Sequence, residues 1–257
     1  MNEMTAAVRT EGLDKKFGAF QALDDLSLEV EPGTVSGFLG PNGAGKTTTI
    51  RILTGLAHAT RGKAWVAGVE VTTHGQDIAR KIGYLPEEPA FYPWLTPVEY
   101  LDHVARVFGM AAGERQKRVR ELLGLVGLAE ASRRRVGGFS RGMRQRLGLA
   151  QALVNRPDVL FLDEPVSALD PAGRKEVLEL IEQMQGQCTV FMSTHILADV
   201  ERICNTVGII SRGKMVTIAP RQALMEQYVI PALEVVVDPA SKDRVKSCTS
   251  SLRTIKW

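Results

Sequence analysis

The stretch that decides the fold is Gly40-Pro41-Asn42-Gly43-Ala44-Gly45-Lys46-Thr47-Thr48. It fits an eight-position pattern with a first glycine at Gly40, then Gly45-Lys46, then the hydroxyl of Thr47. Small residues let successive backbone N–H groups turn toward one anion, and a following helix aims the positive end of its dipole at the same place. Lys46 adds a point charge suited to outer phosphates, and Thr47 offers a hydroxyl suited to magnesium. With glycine near its usual abundance of about 7%, the bare pattern arises by accident in roughly one chain in a hundred of this length. Context lowers that figure. Val35–Leu39 reads as a short buried strand and Thr47–Leu56 as a helix, which is the strand–loop–helix setting the loop requires. The plainer alternative is a glycine-rich turn with a lysine beside it.

Working outward, the 257 residues suffice for one large core or two modest ones. Hydrophobic content of 44% and charged content of 24% belong to an ordinary globular chain. A net charge of +3 is too small to argue for nucleic acid or a membrane surface, so no nucleic-acid partner is expected. Arg133-Arg134-Arg135 reads as a solvated helix end or loop, with contact to anionic lipid or nucleotide as the lesser alternative. Cys188, Cys204 and Cys248 are odd in number and lack paired short spacing, which indicates neither a disulfide framework nor a zinc site. A reduced, cytosolic setting fits. His58, His74, His103 and His195 show no metal-ligand spacing either. Met1–Leu13 has no apolar core of signal-peptide length, and no run of eighteen apolar residues occurs. The chain is therefore not expected to cross a bilayer unaided, although it can dock on something that does.

The remaining pattern alternates strand and helix with one interruption. Val8–Gly12 and Asp25–Val30 read as strands; in the second, Leu26, Leu28 and Val30 alternate with polar neighbours, as a half-exposed antiparallel strand requires. Phe17 lies between them and reads either as core or as an aromatic that stacks on a nucleotide base. Lys63–Val66 and Ile82–Leu85 read as further strands. The prolines and aromatics between Pro86 and Pro97 predict an unusually apolar loop. Thr96-Pro97-Val98-Glu99 then opens a helix, with a hydroxyl cap, proline at the first position and glutamate three residues after the cap. Helices are predicted over Pro97–Phe108, over Glu114–Val126, and after Ser140. In the last, Met143, Leu147, Ala150 and Val154 make one apolar face, with Arg141, Arg144 and Arg146 off it. Three helices without an intervening strand predict an inserted helical subdomain, about residues 96–155.

Val159–Leu162, followed by Asp163 and Glu164, is an apolar run ending in two carboxylates. A strand apolar on both faces belongs at the centre of a parallel sheet, and its carboxyl end belongs where such sheets place ligands. Taken alone, Asp163 and Glu164 read equally as a strand end capping a helix, and His195 as a satisfied core histidine. A helix from Asp170-Pro171, a strand over Thr189–Ser193 and a closing pair over Val207–Ser211 and Lys214–Ile218 complete the pattern. Leu233–Val237 reads as one more strand, and Ser241–Trp257 is polar without a pattern. The predicted fold class is α/β: a P-loop NTPase core with a parallel sheet, a small antiparallel β subdomain and the inserted α-helical subdomain. Residues 5–220 form the predicted domain, and 221–257 a short C-terminal extension to which no role attaches.

Several motifs fall in one order, and through them the chain resembles the nucleotide-binding subunit of an ATP-binding cassette (ABC) transporter, over roughly Val8–Ile218. The most telling is Phe139-Ser140-Arg141-Gly142-Met143, some twenty residues before Asp163; the family consensus is Leu-Ser-Gly-Gly-Gln, so the serine and second glycine are kept. Ser140–Leu147 is similar to a branch that serves bacterial exporters. Ser167–Asp170 resembles the loop joining the halves of the dimer, and Ser193-Thr194-His195 resembles the switch histidine motif. The resemblance implies that Phe17 stacks on adenine, although tyrosine is commoner there, and that Gly40 through Thr48 (Gly40, Pro41, Asn42, Gly43, Ala44, Gly45, Lys46, Thr47, Thr48) wrap the phosphates of ATP. It implies that Asp163 holds magnesium, that Glu164 polarises the attacking water and that His195 contacts the outer phosphate. Ser140 and Gly142 would complete the site of the opposite subunit in a homodimer, or in a pair with another ATPase subunit, so one chain alone would hydrolyse weakly.

Glu87 stands where the family usually has a glutamine that reaches magnesium and water; glutamate keeps an oxygen for the metal and adds charge beside the outer phosphate. Phe91, Tyr92 and Trp94 would line the groove that receives a helix from a separate transmembrane permease subunit, with filling of local core as the alternative. The implied protein is an ATP hydrolase peripherally attached to the cytoplasmic face of the cell membrane and serving export. A soluble cassette ATPase acting on ribosomes or DNA shares the nucleotide motifs, but such relatives usually carry two cassettes or a long coiled-coil insertion. A phosphate-loop kinase has no reason for Ser140 and Gly142.

Overall fold

Val35–Leu39 has no exposed position, and only a sheet covered on both faces accommodates such a strand. It is β3 of the chain. The computed structural model describes residues 6–74, 77–167 and 169–228, so the expected strand Leu233–Val237, the segment Ser241–Trp257, Cys248 and Ala168 lie outside the described residues. Contacts divide the chain into two units, Met1–Arg221 and Gln222–Trp257, and every described strand lies in the first, together with the phosphate loop.

Before β3 come β1 (Val8–Phe17) and β2 (Phe20–Val30), an antiparallel pair longer than the sequence pattern implies. The expected ends at Gly12 and Asp25 are irregularities inside the ladder rather than its limits. Gly12 and Asp25 both take positive φ, and the register shifts between Thr10 and Leu13 before pairing resumes. Helix α1 (Lys46–Leu53) follows the phosphate loop and stops short of Leu56, because Gly55 turns left-handed and Leu56 N–H bonds back to the Arg51 carbonyl. Strands β4 (Arg61–Val66) and β5 (Val69–Glu70) complete an antiparallel sheet of order β2-β1-β4-β5.

A short α2 (Val71–His74) and a 3-10 turn (Asp77–Arg80) lead to β6 (Ile82–Leu85). After the Pro86–Thr96 loop come α3 (Pro97–Val107), α4 (Ala112–Leu125) and α5 (Arg141–Ala152), consecutive helices with no strand between them. Then β7 (Val159–Asp163), α6 (Pro171–Glu182), β8 (Thr189–Thr194), α7 (Leu197–Ile203), β9 (Thr206–Ser211) and β10 (Lys214–Pro220) return the chain to the main sheet, and α8 (Arg221–Tyr228) is next in sequence. That sheet has the order β10-β9-β3-β8-β7-β6, parallel throughout except for β10.

One apolar layer holds the two sheets to α1. Phe38, Phe161 and Phe191, from three neighbouring parallel strands, touch ring to ring at 5.2 and 5.9 Å. They share a core with Ile50 and Leu53 of α1 and with Leu13, Leu23 and Leu26 of the antiparallel sheet. Each such side chain contributes about 1.5–3 kcal/mol on burial. On the opposite face Val200 of α7 packs over Gly37. The helical insertion is fastened to the sheet at Gly83 of β6, where an added Cβ would stand 2.0 Å from the Ala152 carbonyl that ends α5. No larger residue fits there without moving α5.

Helix α3 begins as expected: the Thr96 hydroxyl accepts from Glu99 N–H, and the Glu99 carboxylate accepts from Thr96 N–H at 2.8 Å. Those bonds hold the Glu99 carboxyl below its ordinary range. Thr96→Ala should cost about 1 kcal/mol of stability at neutral pH. The folded pKa of Glu99 is depressed, so its contribution is present above the ordinary pKa near 4.5 and fades as pH falls through the folded value. Chemical unfolding of Glu99→Ala should therefore show a deficit at pH 7 that narrows in acid; a deficit that does not change with pH contradicts the cap.

Candidate functional site

Register alone brings the site together. Leu39 pairs with Thr194, Ser193 with Asp163, and Leu162 with Leu85, so β3, β8, β7 and β6 end side by side. The segments that leave these strands therefore emerge at one edge: the phosphate loop after β3, His195 after β8, Glu164 after β7 and Glu87 after β6. An open α/β sheet binds ligands at this edge.

The edge carries a cleft of about 400 Å3 lined by Asn42, Gly43, Gly45, Lys46, Thr47, Thr48, Glu87, Glu164 and His195. Phe17, Phe20 and Ala22 of the β1–β2 hairpin form its other wall. Gly45 takes φ 110° at the start of α1, and an added Cβ would lie 2.8 Å from the Ala22 carbonyl. That close approach seats the loop against the hairpin. Thr49 is the first residue of α1 whose N–H bonds the preceding turn, to the Gly45 carbonyl at 2.9 Å, and the earlier N–H groups point out of the helix start. Gly40 and Ala44 are buried beneath the loop; Pro41, although exposed, turns its carbonyl inward.

Lys46 is only 6% exposed. Its ammonium donates to the Gly40 carbonyl at 2.7 Å and the Pro41 carbonyl at 3.2 Å, and stands 3.1 Å from Glu164 Oε1. That oxygen receives no aligned N–H, so the contact is an ion pair without a hydrogen bond. Glu164 Oε2 meets His195 Nδ1 at 2.9 Å. Glu164 itself sits at φ 48°, a strained conformation for a non-glycine residue, held by its N–H to the Ser193 hydroxyl.

Asp163 is buried and receives two hydroxyls, Thr47 Oγ1 at 3.1 Å and Ser193 Oγ at 2.7 Å. Among the described residues no three His, Cys, Asp or Glu side chains cluster as a metal cage. One carboxylate beside one hydroxyl at a phosphate loop, with a second carboxylate across the cleft, is nevertheless the hard-oxygen set magnesium takes when phosphates supply other ligands. The residues fit that ion.

Two of the alternatives for single residues fall away. Phe17 is 55% exposed at the hairpin end and His195 is exposed, so neither fills a core. Lys15 sits over the Phe17 ring at 4.8 Å. Phe20 carries no sequence signal as a site residue, although it pairs with Phe17 across the tight Gly18 turn and so projects to the same face. Ser193 is only a motif position in the sequence, and its hydroxyl bridges Asp163 to Glu164. Ser140 and Gly142 do not line this cleft. Ser140 caps α5 by accepting from Met143 N–H, and nothing lies within 4 Å of a Cβ built on Gly142. Of the aromatic loop, Tyr92 and Trp94 are exposed with rings 5.4 Å apart. Phe91 is half-buried and packs edge-on against Tyr100 at 5.0 Å. The arginine run is an exposed loop in which Arg134 bonds the Gly138 carbonyl.

Comparison with known proteins agrees with this geometry. The model of the ABC transporter family matches residues 23–167, more than half of the chain. The ABC transporter ATP-binding protein YxlF of Bacillus subtilis is 43% identical over 217 residues, which cover 84% of this chain and 72% of that one. The bacitracin transport ATP-binding protein BcrA of Bacillus licheniformis is 41% identical over 219 residues, covering 84% and 71%. A solved structure of an ATP-binding subunit of an ABC transporter superposes with a TM-score of 0.77 at 29% identity, covering 86% of this chain and 93% of that one. The cleft, the order of its motifs and these likenesses lead to one conclusion: the chain belongs to the ABC transporter family, as an ATP-binding subunit and ATP hydrolase.

Proposed function

We propose that the chain binds ATP with magnesium in this cleft, closes over it with a second copy, and uses hydrolysis to drive a separate membrane-spanning partner in export. The observation that carries the reading is the shared edge, which gathers the phosphate loop, Glu164, His195 and Glu87 around one space, with buried Asp163 bonded to Thr47 of that lining.

In this reading Phe17 stacks on adenine and the loop amides take the phosphates. Lys46 leaves the Gly40 and Pro41 carbonyls and Glu164 for the outer phosphate oxygens, a stronger charge-assisted set. Glu164 then accepts a proton from water as its oxygen bonds the outer phosphorus, while the bond to the bridging oxygen breaks and ADP leaves. His195, oriented through Nδ1 by Glu164, offers its other ring nitrogen to the outer phosphate. Asp163 and Thr47, with Glu87 nearby, would hold magnesium, which would supply charge neutralisation for the phosphate oxygens.

Dimerisation is supported by Ser140 and Gly142, which sit open at the start of α5 and outside their own cleft. Docking of a permease helix is supported by exposed Tyr92 and Trp94, and by a groove of about 240 Å3 between β6 and α3 lined by Leu56, Tyr84, Val104 and Phe108. Neither Tyr92 nor Trp94 lines that groove, so the two form separate parts of the docking surface. Among the described residues no helix is long and apolar enough to cross a membrane; peripheral attachment at the cytoplasmic face is part of the proposal and follows from the family. Export rests on the Ser-Arg-Gly-Met variant and on likeness to the bacitracin transport protein.

Glu164→Gln should bind ATP within a few fold of wild type and lower kcat by about 100-fold or more, the usual worth of a positioned base. Full turnover in that variant removes Glu164 from the role. Glu87→Gln should change the magnesium concentration that gives half-maximal turnover; an unchanged magnesium profile places Glu87 outside the reaction.

A further inference from the structure

Asp199 is 1% exposed and lies outside the cleft, yet it is tied to residues on both sides of His195. Its Oδ1 receives Arg174 from α6, Nε at 2.8 Å and a terminal nitrogen at 2.5 Å. Its Oδ2 stands 3.5 Å from the Thr194 hydroxyl, which also accepts Ile196 N–H at 3.1 Å. Its own N–H donates to the Ile196 carbonyl at 3.3 Å, and the Thr194 carbonyl accepts from Gly40 N–H at 3.2 Å. The residues flanking His195 are thus pinned by Asp199 and by the phosphate loop.

Arg174 reaches Asp199 from the other segment that leaves the sheet edge. Glu164 follows β7, the chain runs to Asp170, and α6 begins, with Arg174 N–H on the Asp170 carbonyl at 2.9 Å. Two segments therefore leave β7 and β8 and meet twice, at Glu164–His195 in the cleft and at Arg174–Asp199 behind it. A buried carboxylate held by one guanidinium is costly to break and fixes what it joins.

We infer that Arg174 and Asp199 are positioning residues for hydrolysis, setting His195 against Glu164 and the outer phosphate. The inference rests on the proposed role of His195. It differs from plain packing of α6 on α7, because the same helices share a second, exposed ion pair, Arg202–Glu179 at 3.1 Å, remote from Thr194.

The test is a double-mutant cycle read as kcat at saturating ATP and magnesium, on the purified full chain, per folded molecule. Asp199→Asn should lower kcat about tenfold with KM for ATP within about twofold, the signature of an interaction realised in the transition state. In a His195→Ala background the same change should have no further effect. Arg174→Met, from the more exposed side of the pair, should repeat both results and serves if Asp199→Asn folds poorly. Arg202→Ala should leave kcat unchanged. An equal loss in both backgrounds, or a kcat that ignores Asp199→Asn and Arg174→Met, overturns the inference. A His195→Ala chain with undiminished kcat overturns the parent reading of His195, and this inference with it, and shows itself in the single variant.

Discussion

A buried cation at the floor of a cleft constrains everything around it. Lys46 cannot sit at 6% exposure without partners, and the protein supplies two loop carbonyls and the Glu164 carboxylate. Each of these comes from a strand end: Gly40 and Pro41 from β3, Glu164 from β7. The ion pair with Glu164 lacks an aligned hydrogen bond, so it balances charge while leaving the ammonium ready for a better acceptor. The acceptor we propose is a triphosphate, with more charge and more lone pairs than the carboxylate offers. In the proposed reading, Lys46 turns to phosphate and Glu164 is released to face water. On that proposal, the Lys46–Glu164 contact links substrate binding to readiness of the base.

Such a floor needs an accurate frame, and parallel register provides it. The ring contacts of Phe38, Phe191 and Phe161 fix three strands relative to one another, and their ends bring Gly40, Thr194 and Asp163 level. Ser193 then joins Asp163 to the Glu164 backbone, which sustains the positive φ of Glu164. Farther out, α5 meets β6 at Gly83, and the aromatic loop bonds through the Pro93 and Leu95 carbonyls to Gly137 and Val136. These bonds tie the exposed Tyr92–Trp94 segment to the turn that precedes Ser140.

Much of this was written in local sequence. The phosphate loop, its strand, the proline-capped start of α3 and the run into Asp163 depend on residue types within a few positions, and all lie where the pattern puts them. Glycine misled at β1, because Gly12 resembles a strand end, and only the cross-strand ladder reveals a bulge. Phe20, Lys15, Arg174 and Asp199 were illegible for a different reason. Their part depends on contacts across the tertiary fold, and nothing in Arg174 or Asp199 alone distinguishes a buried pair from two surface charges. Phe91 and Trp94, three residues apart, share a composition signal and differ in exposure, because Phe91 is half-covered by its contact with Tyr100 of α3 while Trp94 is exposed.

The central claim is that the Lys46 charge, once released from Glu164 and the loop carbonyls, is what holds the outer phosphates. Equilibrium titration of ATP with magnesium into the wild-type chain and into Lys46→Met tests it directly. Saturable binding by the wild type, weakened by about 100-fold or more in a folded Lys46→Met chain, is the predicted result. Equal affinity in the two chains contradicts it.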